Sequence, residues 1–236
     1  MRHHMLILGI AAASLTGTLP AHAQEPTIRE QLVARGAPEA FADRVAVIVA
    51  DARARDLPTA PLASKALEGW AKRNRVPPDR VVVALQGLTG RLQAGRTATL
   101  AEGLDPAPGA VVAAAAEALG RGMTAEDVRA LIRSAPSPEA AATGLTVASA
   151  LAAQGLETRA AVRAIRDAHA RGRRPDEVLE LPSAVAGLVG RGVPMSEVAR
   201  RIHEGGGLPL PAAAGGGGSR RPDHVPPGQA KRPVKP

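Results

Sequence analysis

Histidine is the first residue type to consider for metal binding or acid–base catalysis, and this sequence has few of them. After residue 23 there remain His169, His203 and His224. No two of them have the three- or four-residue spacing that places two ligands on one helix face, so no metal site is predicted. His169 and His203 fall near the ends of two predicted helices, where the negative helix end favours a protonated imidazole.

Carboxylate pairs are the second candidate for chemistry. Glu126-Asp127 and Asp176-Glu177 are adjacent pairs, and Glu177 and Glu180 share one face of a predicted helix. A glycosidase needs two carboxylates that face each other across a cleft, which neighbours on one helix face do not provide. Acidic residues also favour the positive N-terminal end of a helix. We therefore interpret these pairs as charges that stabilise helix starts.

Hydroxyl nucleophiles are the third candidate, represented by Thr124 and Ser196 at predicted helix caps. Neither has a neighbouring histidine to take its proton, so no nucleophilic site is predicted. We assign no catalytic, cofactor-binding or metal-binding residue. An enzyme would require a site that assembles only in three dimensions, from two or more of these residues: His169, His203, Glu177, Glu180 and Asp127.

Two clusters of basic residues are the best candidates for binding an anion. Flexible Lys and Arg side chains bind anionic polymers because they release the counterions of the polymer. One cluster surrounds Gly172, and the other lies in a C-terminal tail whose run of glycines lacks the Gly-Lys-Ser/Thr ending of a phosphate loop. A solvated tail without a partner remains the alternative. The candidate anion-binding residues are Arg171, Arg173, Arg174, Arg220, Arg221, Lys231, Arg232 and Lys235.

The charge balance and the scarcity of aromatic residues argue against some classes of binding protein. The chain has 30 Lys and Arg against 22 Asp and Glu. The tail from residue 205 accounts for much of this excess, so the rest is near balance. Phe41 and Trp70 are the only aromatic residues, whereas readers of single-stranded nucleic acid stack bases on aromatic side chains. Specific nucleic-acid binding is therefore not expected.

Glycine and proline divide the middle of the chain into many short predicted helices, which indicates an all-α fold. Helix-start signals recur, as in Ser137-Pro138-Glu139, where a capping hydroxyl precedes a proline and an acid. The best β-branched run, Val81 to Val83, lies inside a helical pattern. Around Gly87 and Gly90 the pattern fits either a kinked helix or a break between two sub-bundles. We favour the break, because each glycine costs about 1 kcal/mol relative to alanine in a helix interior.

A weak internal repeat is visible when the glycines are aligned. Similar segments end in Leu-Val-Ala-Arg-Gly36, Leu-Ala-Ala-Gln-Gly155 and Leu-Val-Gly-Arg-Gly192. We interpret each ending as a left-handed glycine cap, followed by a short turn and a second helix. A solenoid-like helical repeat is one interpretation, and an alanine-rich helical protein without true repeats is the other. Shorter or degenerate copies of the ending finish at Gly103, Gly122 and Gly172.

The two ends of the chain differ in composition from the middle. Residues 1–23 combine a basic start, an apolar run and the small-residue site Ala21-His22-Ala23, which is the order of a cleavable secretory signal peptide. As a helix, the run from Met5 to Leu19 would extend only ~22 Å, less than the ~30 Å hydrocarbon core of a bilayer. We predict three segments: a signal peptide at 1–23, an all-helical repeat-like domain at 24–204 and a disordered basic tail at 205–236.

These observations favour an exported, non-catalytic helical protein of the periplasm or the cell exterior, with a macromolecular binding or scaffold role in the cell envelope. Its partner would be a protein or an anionic envelope polymer. We expect no cofactor, and no transmembrane span once the signal is cleaved. Two alternatives remain open: an envelope-associated hydrolase, and a protein that binds anionic envelope polymers through its tail.

Overall fold

All regular secondary structure in the described part of the chain is α-helical, which confirms the all-α class. The computed structural model describes residues 26–204. The predicted signal peptide and the predicted tail lie outside the described residues. The helices are α1 (Ile28–Ala34), α2 (Glu39–Ala54), α3 (Ala60–Ala71), α4 (Pro78–Ala101), α5 (Gly109–Gly120), α6 (Ala125–Ser134), α7 (Pro138–Ala153), α8 (Thr158–Ala170), α9 (Pro175–Leu179), α10 (Leu181–Gly190) and α11 (Met195–His203).

Capping side chains begin α6 and α7, as the sequence predicts. The Oγ of Ser137 accepts a hydrogen bond of 3.1 Å from the backbone N–H of Ala140. Thr124 and Asp127 form a reciprocal capping box at the start of α6, with each side chain bonded to the backbone N–H of the other residue. Such bonds satisfy N–H groups that have no partner within the helix, and each contributes about 1 kcal/mol.

One predicted cap residue is wrong, although a helix begins beside it. Ser196 is not a cap, because α11 already begins at Met195 and its N-cap is Pro194. Proline fixes φ near the helical value and needs no hydrogen-bond donor, so the following residues enter the helix directly.

One four-residue connection recurs five times between consecutive helices. Its second residue is a glycine with positive φ, as the aligned glycines predict, and its fourth is the N-cap of the next helix. The N–H of the third residue bonds back to a carbonyl in the last turn of the preceding helix, at 3.0–3.1 Å. This is the Schellman geometry, which requires a left-handed residue. The connections are residues 35–38, 121–124, 154–157, 171–174 and 191–194.

The recurring connection produces an array of helices, but its members are unequal. Helix lengths range from five residues in α9 to 24 in α4. The main contacts join helices that are one to three positions apart along the chain, and α7 contacts each of α5, α6, α8, α9 and α10. A regular solenoid would have repeats of equal length that contact only their neighbours. The fold is therefore an irregular helical array with one central helix, α7.

The predicted break at Gly87 and Gly90 is wrong, because α4 continues through both glycines. Two interior glycines cost about 2 kcal/mol. Val81, Leu85 and Leu92 lie on the same helix and are at most 4% exposed. Burial of each such side chain stabilises the fold by about 1.5–3 kcal/mol, so the three together exceed the cost of the glycines. Tertiary packing keeps α4 intact.

Two hydrophobic clusters form the core, and α5 lies between them. The first cluster is built from α1 to α4 and includes Val112 and Ala116 of α5. The second is built mainly from α5 to α11 and includes Val111 and Ala115 on the other faces of α5. An alanine-rich helix suits this position because small side chains on all faces allow close approach from both sides. The predicted boundaries of the domain at 24–204 stay a prediction.

Candidate functional site

A wide groove, with a volume of about 1150 Å³, crosses the face formed by α3, α4, α5 and α7. Its floor consists largely of alanine and glycine, including Ala84, Gly87 and Ala113. Because these side chains project little, neighbouring helices leave a depression between them. Arg91 lies across this depression against Gly120, where an added Cβ would be 3.1 Å from its Nε. Glycine at 120 therefore gives the arginine its space.

Exposed apolar side chains lie at two positions of the groove. Val83 of α4 is 66% exposed and Leu179 of α9 is 54% exposed. Apolar side chains grouped along a concave surface are typical of sites that contact other molecules. Residues with an exposed apolar side chain outside the groove include Val47 of α2, which is 68% exposed.

The charged residues at the rim of the groove are mostly paired. Lys65 bonds to Glu68 at 3.0 Å, and Arg121 lies 3.7 Å from Glu117. Hydrogen bonds from Lys72 and Lys65 lower the pKa of Glu68 to about 2. A carboxyl group with this pKa stays ionised and is a poor proton donor at neutral pH. The rim therefore offers fixed charges of both signs rather than an acid–base pair.

A smaller polar cleft of about 390 Å³ lies between α6 and α8. Arg129 and Arg133 are four residues apart on α6, and Arg166 of α8 faces the same cleft. Arg133 makes two hydrogen bonds to Glu102, the residue that follows α4, at 2.7 and 2.8 Å, which raise the pKa of its guanidinium. The paired Glu102 side chain is only 9% exposed. The Arg133 side chain itself is 69% exposed, so the pairing orients its guanidinium at the solvent-facing side of the cleft.

Ser134, which also lines the cleft, lies against His169. Its Oγ is 3.2 Å from Nδ1 of His169 and donates to the carbonyl of Leu131 at 3.0 Å. A side chain at Gly144 of α7 would contact the Nε2 edge of the ring. The imidazole therefore fills the space between α6 and α7, and it holds the ends of α6 and α8 against α7.

His169 is buried, contrary to its expected role as a cation at a helix end. It is 8% exposed, and burial lowers its pKa below the usual 6.5, while a hydrogen bond to the backbone of Ala140 opposes part of that change. Burial disfavours the charged form because an isolated charge loses its hydration. A neutral imidazole beside a hydroxyl resembles a general base with its nucleophile. No carboxylate in residues 26–204 is hydrogen-bonded to this ring, and we assign the pair a packing role.

The other candidate residues for a catalytic site lie in different places and contact different residues. Asp127 caps α6, and Glu177 accepts a hydrogen bond from the backbone N–H of Arg174. His203 lies 3.7 Å from Glu157, near the surface. Glu180 is the residue between α9 and α10. In the described residues, no three His, Asp or Glu side chains are placed to share a metal ion.

The basic cluster around Gly172 is placed at the connection between α8 and α9. Arg173 lies 3.6 Å from Glu177, and Arg174 pairs with Asp176 at 2.6 Å. These local partners offset part of the positive charge, and Arg171 also has an interaction partner. Binding of an anion here stays a prediction. The remaining candidates lie outside the described residues: Arg220, Arg221, Lys231, Arg232 and Lys235.

Neither the groove nor the cleft is predicted by the sequence. The i, i+4 spacing of Arg129 and Arg133 is visible in the sequence, but their approach to Arg166 depends on the packing of α6 against α8. The groove has no sequence signal, because its floor is made of the same alanines that occur in the core. Within residues 26–204, no helix combines the length and the apolar character needed to cross a bilayer.

Fold and surfaces together define an all-α protein of short, capped helices with an open groove on one face and an arginine-lined cleft elsewhere. No protein-family model matches the chain, and neither a curated protein nor a solved structure shows significant similarity to it.

Proposed function

We propose that the protein is an exported, non-catalytic binding or scaffold protein of the cell envelope, and that the groove across α3, α4, α5 and α7 is its contact surface. The observation that carries this proposal is the groove itself, with the exposed Val83 and Leu179 and a rim of paired charges. Export is supported by the sequence order of residues 1–23 and not by the fold.

The groove favours a protein partner that presents a short apolar segment. Complete burial of a fully exposed valine or leucine side chain contributes about 1.5–3 kcal/mol, so covering the exposed parts of Val83 and Leu179 would favour binding. The rim charges of both signs, such as Lys65 and Glu117, would then fix the orientation of the partner more than its affinity. This division between an apolar centre and a polar rim is typical of protein interfaces.

The proposal is tested by affinity capture from an envelope extract, with Val83→Asp and Val47→Asp as a matched pair. Both valines are on helices and are about equally exposed, at 66% and 68%, but Val83 lies in the groove and Val47 does not. We expect the parent chain and Val47→Asp to retain the same partner, and Val83→Asp to lose it. Equal retention by the two variants would show that the groove is not the contact surface.

A further inference from the structure

The cleft between α6 and α8 has more positive charge than its neighbours neutralise. Three arginines and one glutamate line it: Arg129, Arg133, Arg166 and Glu126. Arg133 is paired with Glu102, whereas the guanidiniums of Arg129 and Arg166 have no hydrogen-bond or ion-pair partner within residues 26–204. Both side chains are exposed to solvent and line one cleft, so an anion that enters the cleft would be attracted by both positive charges.

The cleft has hydrogen-bond donors on two helices. Arg129 and Arg133 belong to α6, and Arg166 belongs to α8. Two hydrogen bonds to Glu102, at 2.7 and 2.8 Å, orient the guanidinium of Arg133. Fixed donors bind an anion more tightly than mobile ones, because less side-chain entropy is lost on binding.

We propose that this cleft is a binding site for a phosphate group, in which Arg129 and Arg166 provide the two unpaired guanidiniums. A phosphate presents oxygens in several directions, whereas a carboxylate presents two oxygens in one plane. Donors that approach from two helices therefore suit the phosphate. The volume of about 390 Å³ accommodates a phosphate together with a small group attached to it.

The site is independent of the groove proposed above. None of the residues that line the cleft also lines the groove. Loss of phosphate binding would therefore leave the groove proposal intact, and loss of the groove partner would leave the phosphate site intact. The single acid of the cleft, Glu126, opposes the binding of an anion, and its removal should strengthen binding.

The experiment is a titration of the isotope-labelled full chain with inorganic phosphate, followed by amide NMR at constant ionic strength and constant pH. We expect shifts confined to α6 and to the part of α8 around Arg166. The double variant Arg129→Gln/Arg166→Gln should lose about ten-fold or more in affinity, because hydrogen bonds to charged groups are the stronger ones. Glu126→Gln retains both arginines and should bind more tightly than the parent chain.

The matched control is Arg53→Gln/Arg80→Gln, which removes two exposed arginines of α2 and α4 outside the cleft. This control lowers the net charge by the same amount, so its affinity should equal that of the parent chain. If both double variants lose the same affinity for phosphate, the loss is due to net charge and the proposal is overturned. Unchanged affinity in Arg129→Gln/Arg166→Gln, or weaker binding in Glu126→Gln, would overturn it as well.

A phosphate group can come from a soluble molecule or from a lipid headgroup, and a second arm separates the two. Cosedimentation with phosphatidylglycerol vesicles is compared for the parent chain and for Arg129→Gln/Arg166→Gln. Vesicle binding that depends on these arginines assigns the site to a headgroup. If the chain binds inorganic phosphate but its vesicle binding does not depend on these arginines, the site is assigned to a soluble phosphate. Binding of neither probe would refute the site.

Discussion

Alanine substitutions at two glycines of α4 should have opposite effects on stability. At Gly90 an added Cβ meets no heavy atom within 4 Å, whereas at Gly95 it would lie 2.8 Å from the carbonyl oxygen of Val112 on α5. Gly90→Ala should therefore raise the free energy of unfolding by about 1 kcal/mol, the difference in helix propensity. Gly95→Ala gains the same propensity but forces α4 and α5 apart. Overpacking costs about 1–3 kcal/mol, which leaves a net loss of up to about 2 kcal/mol.

Urea unfolding followed by far-ultraviolet circular dichroism and by Trp70 fluorescence measures both effects. Trp70 is 7% exposed and stacks on Phe41 with ring centroids 5.5 Å apart, so its emission reports on the first hydrophobic cluster. Circular dichroism reports on all the helices. For a chain of this size, 1 kcal/mol also corresponds to a shift in Tm of roughly 2–4 °C.

For each variant, a change in the free energy of unfolding that is opposite to the expected one would refute a specific part of the structure. If Gly95→Ala were as stable as the parent chain, the close approach of α4 to α5 would be incorrect. If Gly90→Ala were less stable than the parent chain, α4 would not be a continuous helix at that position. The two variants differ by five positions on one helix, so each serves as the control for the other.

Three further predictions concern the helix caps and the buried histidine. Because burial lowers the pKa of His169, the unfolded chain binds a proton near pH 6.5 that the folded chain does not. The free energy of unfolding should therefore fall as the pH drops below about 6.5, and His169→Gln should flatten this dependence in urea titrations at several pH values. Ser137→Ala removes the cap of α7 and should cost about 1 kcal/mol, measured by thermal unfolding. Gly155→Ala has space for its Cβ but a φ of +94°, and should lower Tm through a backbone cost of about 1–2 kcal/mol, while an unchanged Tm would exclude the left-handed cap.

The local features of the fold could be predicted from the sequence, because each depends on a few adjacent residues. The glycine caps are an example: Gly36, Gly155 and Gly192 all have positive φ, as their shared endings indicate. Asp56 has the same left-handed conformation with φ of 54° and was missed, since an aspartate carries no comparable signal. The continuity of α4 could not be predicted either, because it depends on burial against helices distant in sequence.

The candidate surfaces were beyond prediction for the same reason. Ser134 and His169 are 35 residues apart in sequence and meet only because α6 and α8 pack together. The sequence places His169 at the end of a predicted helix, but the lowering of its pKa follows from its burial against α7. Unpaired arginines such as Arg166 become visible only when the carboxylates near them in space are known.

The position of α5 between the two hydrophobic clusters also determines how the protein unfolds. Val112 and Ala116 pack in the first hydrophobic cluster, and Val111 and Ala115 pack in the second. The same short helix therefore contributes to both clusters. Separation of the chain within the connection at 102–108 would leave an N-terminal piece whose hydrophobic cluster is exposed to water where α5 covered it. The N-terminal piece would lack α5, which covers its hydrophobic cluster. We therefore expect that neither piece folds stably without the other. Melting should therefore proceed as one cooperative event that spans both clusters.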